Sequence, residues 1–173
     1  MKNVIIRDNV PDWATGNPLT MATDGLYERP GFLLRRSHQI SVAIFERACA
    51  SLSLTPAQYG VLSIVEAQPS IDQTRLARAL AFDKVTVLRV LKGLQERGLC
   101  VRQPVLQGRR QMAVTLTPAG QALLQQARQP VQQAYRELLS PLSDVEQATL
   151  VALLQRLIQT LEHEARSSFV PID

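Results

Sequence analysis

Between Pro30 and Leu52 the apolar residues Phe32, Leu33, Ile40, Ala43, Ile44, Ala48 and Leu52 recur at helical spacing, and Pro30 suits the first turn. The pattern predicts one helix over this segment. A second helix opens at Thr55, whose hydroxyl can cap it, with Pro56 in the first turn and Gln58 placed to reach back to the cap amide. It runs to about Ala67. Ser70 followed by Gln73 repeats that capping box and predicts a short helix with Leu76, Ala77 and Leu80 inward, closed by a tight turn at Ala81 and Phe82. Asp83 caps the next helix, in which Val87, Val90, Leu91 and Leu94 form a buried stripe at i, i+3, i+4 and i+7. Gly98 ends it.

Beyond Gly98 the period changes to two. Leu99, Val101 and Gln103, then Met112, Val114 and Leu116, alternate around the basic turn Gln107-Gly108-Arg109-Arg110, which predicts a β-hairpin with Pro104 on an edge strand. Thr117-Pro118 starts a long helix to about Leu139, which Pro130 is expected to kink or break. Ser143 with Glu146 opens a last helix through Glu164. Residues 1–28 lack periodicity and read as an arm ordered only where something docks it, with Trp13 and Tyr27 the candidates.

The fold class is therefore mainly α with a small β-hairpin wing. Two short helices, a tight turn and a basic hairpin make a winged helix-turn-helix, whose second helix enters the major groove of double-stranded DNA while the wing follows the backbone. With Val87, Val90, Leu91 and Leu94 facing the core, helical geometry turns Lys84, Val85, Leu88, Arg89 and Lys92 outward. Arg89 suits a bidentate contact to guanine, and Thr86 can reach a phosphate or a thymine methyl. Leu88 either packs on a thymine methyl or is an ordinary surface leucine. Arg75, Arg78, Arg109 and Arg110 complete the expected DNA-binding set, with Arg78 assigned to phosphate.

Charge strengthens this reading. Residues 69–110 carry nine Lys/Arg against three acids, a net of +6, so the rest of a chain whose formal charge is +4 sums to −2. Positive charge gathered into one quarter of the sequence is the footprint of a phosphate-binding surface. An adaptor that had lost DNA binding would have no physical reason to keep it.

The remaining composition mostly excludes. At 173 residues, 46% hydrophobic and 5% aromatic, the chain can bury a substantial core but is too short for a barrel enzyme of usual size. It has two histidines, His38 and His163, no Gly-rich phosphate loop and no carboxylate pair aligned with either, so neither an enzyme nor a cofactor or metal site is expected. No stretch approaches the ~20 apolar residues of a membrane helix. Met1 to Trp13 lacks the order of a signal peptide, which points to the cytoplasm. Cys49 and Cys100 read as buried thiols; a thiol-redox sensor using either is the alternative, since Arg47 and Arg102 lie close in sequence.

The motifs together resemble the MarR family of bacterial transcription regulators over residues 30–165. The resemblance is carried by Leu54-Thr55-Pro56-Ala57-Gln58-Tyr59, by Gln73 to Leu80, by Asp83 to Gly98, and by Arg109-Arg110 leading to Leu116-Thr117-Pro118-Ala119-Gly120. Where the family wing has Asp-x-Arg, this chain has Gly108 in place of the Asp, so the carboxylate that orients the wing arginine is missing. Arg110 matches the arginine itself, with the minor groove as its expected partner.

The resemblance implies a homodimer that binds an inverted-repeat operator, with a ligand pocket between dimer core and DNA-binding lobe. It divides the chain into an arm (1–29), a helix of the dimerisation region (30–53), the winged lobe (54–117) and C-terminal dimerisation helices (118–173). Arg29-Pro30-Gly31-Phe32-Leu33-Leu34-Arg35-Arg36-Ser37-His38-Gln39 is similar to the opening of regulators of aromatic-acid catabolism, which implies a repressor released by a benzoate, a hydroxycinnamate or a hydroxylated pyridine carboxylate. Arg35, His38, Gln39 and Val42 share one helix face, a cation, an imidazole, an amide and an apolar floor suited to a planar carboxylate, and Tyr59 could close the site.

Overall fold

The structure, a computed structural model, describes residues 23–104 and 112–172. Trp13 and most of the arm, and the wing tip with Gly108, Arg109 and Arg110, lie outside the described residues. The chain divides into two compact units, 1–41 and 42–173.

In the first unit a 3₁₀ turn, Thr23–Glu28, leads into helix α1, Pro30–Ala48, which continues into the second unit. Tyr27 docks edge-on to Phe32, with ring centroids 5.2 Å apart at 78°. Of the two aromatic anchors expected for the arm, Tyr27 thus meets the start of α1.

The second unit continues with a 3₁₀ turn, Ala50–Leu52, and helices α2 (Pro56–Ala67), α3 (Gln73–Ala79) and α4 (Lys84–Glu96). A hairpin of β2 (Cys100–Pro104) and β3 (Met112–Leu116) follows, then α5 (Pro118–Leu139) and α6 (Asp144–Leu161). The capping box at Thr55 is fully formed: its hydroxyl accepts from the Gln58 amide and the Gln58 side chain accepts from the Thr55 amide. The same reciprocal pair stands at Ser143 and Glu146. Both are local devices, which explains why they were legible from four residues each.

The expected box at Ser70 is not formed. Asp72 caps α3 instead, accepting from the amides of Thr74 and Arg75 at 2.9 and 3.0 Å. Ser70 sits at φ 66°, and Ile71–Asp72 form a short strand β1 that pairs with Val114 and Ala113 of β3. The hairpin is therefore one part of a three-stranded antiparallel sheet of order β1-β3-β2. β2 is an edge strand, as Pro104 at its end requires. Its buried face carries Cys100, while Val101 is exposed, opposite to the phase the sequence suggests. Pro130 does not interrupt α5, which is continuous over 22 residues. The carbonyl that the ring deprives of a donor belongs to Gln126, whose exposure lets water replace the bond. The last helix ends at Leu161, and a 3₁₀ turn extends it to Glu164.

One core unites α2, α3, α4, the sheet and α5: Leu62, Val65, Leu76, Leu91, Leu94, Val114, Leu124 and Val131 are all buried in it. Helix α6 contributes no buried residue and leaves Val145, Leu153, Leu157 and Ile158 exposed.

The tightest point is where α5 begins. The Thr117 amide donates to the Leu99 carbonyl at 3.1 Å and the Thr117 hydroxyl to the Gly98 carbonyl at 2.7 Å, while the hydroxyl also accepts from the Gly120 amide at 3.0 Å. This stitch leaves no space at Gly120, where a Cβ would overlap the Leu99 carbonyl oxygen and lie 3.0 Å from its carbon. Gly120→Ala is expected to cost about 1–3 kcal/mol of stability through overpacking against backbone. Gly93→Ala, whose Cβ would meet only the Gln58 amide nitrogen at 3.8 Å, is expected to gain roughly 0.5–1 kcal/mol from helix propensity. Urea unfolding of both variants checks the pair; equal effects would refute the crowding at Gly120.

Candidate nucleic-acid interface

Helix α4 follows α3 through the turn at Ala81, held at φ 52°. Asp83 caps it: its carboxylate accepts from the Thr86 amide at 2.7 Å and the Thr86 hydroxyl at 2.9 Å. The backbone bond first, then the hydroxyl, holds the Asp83 carboxyl below its usual range, and Arg89 adds a smaller attraction. The cap stays ionised at neutral pH and fixes the direction in which α4 leaves the turn.

With Val87, Leu91 and Leu94 buried, the opposite face presents Lys84, Val85, Leu88, Arg89 and Lys92 to solvent, as the stripe predicts. Arg75 and Arg78 on α3 are exposed as well. Four of these cations need comment. Lys92 is 3.8 Å from Glu96 in an exposed pair one turn apart, too weak to withhold it from a phosphate. Arg75 donates to the Gln68 side chain at 3.2 Å. Lys84 and Arg89 have no acidic partner among the described residues. The Thr86 hydroxyl proton is committed to Asp83, so Thr86 offers a methyl and an acceptor but no donor.

One of the nine basic residues is structural, and a second is partly enclosed. Arg97 at the end of α4 donates to the carbonyls of Ser53 and Leu52 at 2.8 and 2.9 Å, and to Gln58 at 3.3 Å, bracing α4 against the turn before α2. Arg102 lies on the half-buried side of β2 with its Nε enclosed. Counting charges along the sequence cannot separate these from the outward set, because Arg97 is distinguished by its carbonyl partners and Arg102 by its strand face.

Of the expected ligand contacts, Arg35, His38 and Gln39 are exposed on the first half of α1. The Arg35 guanidinium lies over the Phe32 ring, 5.1 Å from its centroid, and Gln39 accepts from Arg36 at 3.3 Å. Tyr59 is half-buried on α2, tilted against Phe45 with ring centroids 5.8 Å apart. It also lines a cleft with residues of α5 that sequence reasoning did not single out: Arg128, Gln129, Val131, Gln132 and Tyr135.

Both cysteines are buried, and burial pushes both thiols up; at Cys100 the nearby Arg102 only partly offsets this. Arg47, the cation that could have activated Cys49, is paired with Glu137 instead. A redox sensor needs an accessible thiolate, which neither position supplies. Among the described residues no cluster of His, Cys, Asp or Glu could hold a metal, and no helix is long and apolar enough to cross a membrane.

One contact had no signal in the sequence. The segment after α6 returns to the winged lobe, where the Val170 amide donates to the Arg78 carbonyl at 3.0 Å. The Phe169 amide anchors the same segment to Glu162 at 2.8 Å.

The MarR family model matches residues 52–111, the stretch from the turn before α2 through the wing. A protein of Thauera aromatica, described as transcriptional regulator for the hcr operon, is 34% identical over 73% of this chain and 77% of its own. A solved structure of BpsR from Bordetella bronchiseptica, studied for regulation of its DNA binding by 6-hydroxynicotinic acid, matches with a TM-score of 0.72 and 33% identity over 76% of this chain and 94% of that one. The repressor CouR, solved on a 23-mer DNA duplex, matches with a TM-score of 0.72 and 30% identity over 78% and 95%.

If Arg97 is a brace, Arg97→Gln should lower stability by about 1 kcal/mol or more through the two lost carbonyl bonds. It should leave the salt dependence of DNA binding unchanged, whereas loss of a phosphate contact lowers the slope by about one. Urea unfolding beside a salt titration of DNA affinity separates the two roles.

Proposed function

The chain belongs to the MarR family, and we propose that it is a homodimeric, ligand-responsive repressor that binds an inverted-repeat operator and is released by an aromatic or pyridine carboxylate. The observation that carries DNA binding is the outward face of α4, with Lys84, Leu88, Arg89 and Lys92 exposed opposite buried Val87, Leu91 and Leu94 and a partly buried Val90. A helix so presented, flanked by Arg75 and Arg78, fits the major groove with phosphates on either side. CouR, of matching fold, is a repressor solved on duplex DNA, which supports the same docking here. Arg109 and Arg110 extend the proposed contact to the flanking minor groove. Such a protein works in the cytoplasm, where the operator is.

The second copy is argued from α6. A helix with no buried residue and with Leu153, Leu157, Ile158 and Leu161 each about half exposed does not cover its own apolar face. A twofold partner covers it and sets two winged lobes on successive turns of DNA. Accordingly, residues 30–53 and 118–173 form the dimerisation region and 54–117 the DNA-binding lobe.

The effector class rests on BpsR, whose DNA binding is regulated by 6-hydroxynicotinic acid. Arg35, His38 and Gln39 on α1 are the side chains we propose for the effector's polar substituents. The hcr-operon relative is a transcriptional regulator and CouR a transcriptional repressor, not enzymes.

Arg89→Ala is expected to lose about 1–3 kcal/mol and relax preference at one base position, while Arg78→Ala weakens all sequences alike. Binding to a randomised operator library, read for each variant, distinguishes the two; reversed behaviour would refute the assignment. For the effector, benzoate, 4-hydroxycinnamate and 6-hydroxynicotinate are tested by thermal unfolding. A true ligand at 100 times its Kd adds about 2.7 kcal/mol. It should also weaken operator binding roughly 5–150-fold. A panel with no effect at millimolar concentration would overturn the effector class while leaving DNA binding intact.

A further inference from the structure

The turn between α3 and α4 closes in a form that usually calls for glycine. The Phe82 amide donates to the Ala77 carbonyl at 2.9 Å and the Ala81 amide to the Arg78 carbonyl at 3.2 Å, the paired bonds that end a helix through one residue in the left-handed region. That residue is Ala81, at φ 52°, and its Cβ makes the conformation costly. A residue other than glycine keeps such a conformation only where its surroundings over-determine it. Helix α3 is seven residues long, so few hydrogen bonds of its own resist a change at its end.

The segment after α6 supplies a further constraint. It follows the 3₁₀ turn Glu162–Glu164, is anchored by the Phe169 amide on the Glu162 carboxylate at 2.8 Å, and lays Ile172 against the core of the winged lobe. Between these two anchors the Val170 amide donates to the Arg78 carbonyl at 3.0 Å. A carbonyl oxygen has two lone pairs, and the Ala81 and Val170 amides take one each. The Val170 side chain is half exposed, so a backbone bond rather than side-chain burial makes the contact.

We propose that residues 169–172 are a strap that positions Arg78 for its phosphate, with Val170 fixing the last turn of α3 and the strained turn that sets α3 against α4. The proposal rests on the reading that Arg78 meets a DNA phosphate, and it assigns the positioning to a residue outside the winged lobe. Arg78 and the outward residues of α4 must reach phosphate and base edges on one duplex together, so the angle between the two helices decides whether both contacts form. Without the Val170 bond the strained turn is free to relax, and the Arg78 side chain no longer starts from a fixed backbone. Val170 acts through Arg78 and is a positioning residue.

The test is the salt dependence of affinity for a duplex that the wild-type chain selects from a randomised library, measured on the full chain. Val170→Pro removes the donor. It is expected to weaken binding about three- to tenfold and to lower the salt slope by about one, the slope change expected of Arg78→Ala. Adding Val170→Pro to Arg78→Ala is expected to change neither further, because both act on one contact. Val170→Ala, the conservative variant, keeps the amide and is expected to retain the wild-type slope. Ala81→Gly, which takes the left-handed conformation without strain, is expected to restore the slope of the Val170→Pro chain. A strap that only stabilises the fold lowers the thermal midpoint without removing a phosphate contact, so a slope unchanged by Val170→Pro overturns the proposal. So does a slope lowered equally by Val170→Ala. Where Val170→Pro does not fold, Ile172→Ser releases the strap from the core instead and is held to the same slope criterion. If Arg78→Ala itself leaves the slope unchanged, the phosphate reading fails and the proposal with it, an outcome separate from failure of Val170→Pro alone.

Discussion

The winged lobe depends on a single backbone crossing, where the first turn of α5 passes over the exit of α4 at Gly98 and Leu99. Three hydrogen bonds from Thr117 and Gly120 close it, and only a residue without Cβ fits. The crossing sets the distance between the helix that presents the basic face and the helix that bears the cleft. Because carbonyl and helix backbone touch directly, there is no flexible side chain to absorb a displacement.

Around that crossing the charges divide by task. Arg97 serves the fold by bracing the turn before α2, and Arg102 lies on the half-buried side of β2. Arg128 and Arg47 pair with acids on other elements. Lys84, Arg89, Arg75 and Arg78 point outward without an acidic partner among the described residues. An exposed cation with no internal partner loses little on meeting a phosphate, since no intramolecular bond is exchanged for the new one. The helix-turn-helix is thus electrostatically unsaturated on one side and apolar on the other.

Helix α6 is unsaturated in the second sense, with apolar side chains that its own chain leaves in water. The chain has two incomplete surfaces, one apolar, for which a second copy is proposed, and one basic, for which DNA is proposed.

How much of this was legible follows from the range of each interaction. The caps at Thr55, Asp83 and Ser143, the stripe of α4, the stop at Gly98 and the edge position of Pro104 are set by contacts within about one turn, and four or five residues suffice to read them. These determined the order of elements, the winged helix-turn-helix and the outward set on α4. Ser70 and Gln73 carried the same local signal, but pairing of Ile71 and Asp72 with β3, over forty residues away, claimed that backbone for a strand and moved the cap to Asp72. The faces of β2, the use of Arg97 as a brace, the pairing of Arg128 with Glu66 and the return of Val170 to Arg78 also join distant residues. No periodicity encodes such pairs, because their partners are chosen by packing. The sequence by itself determined the outward basic face of α4, whose amphipathic stripe is a local property. Only the tertiary structure decided which arginines remain free to use it and which aromatic side chains meet across the cleft.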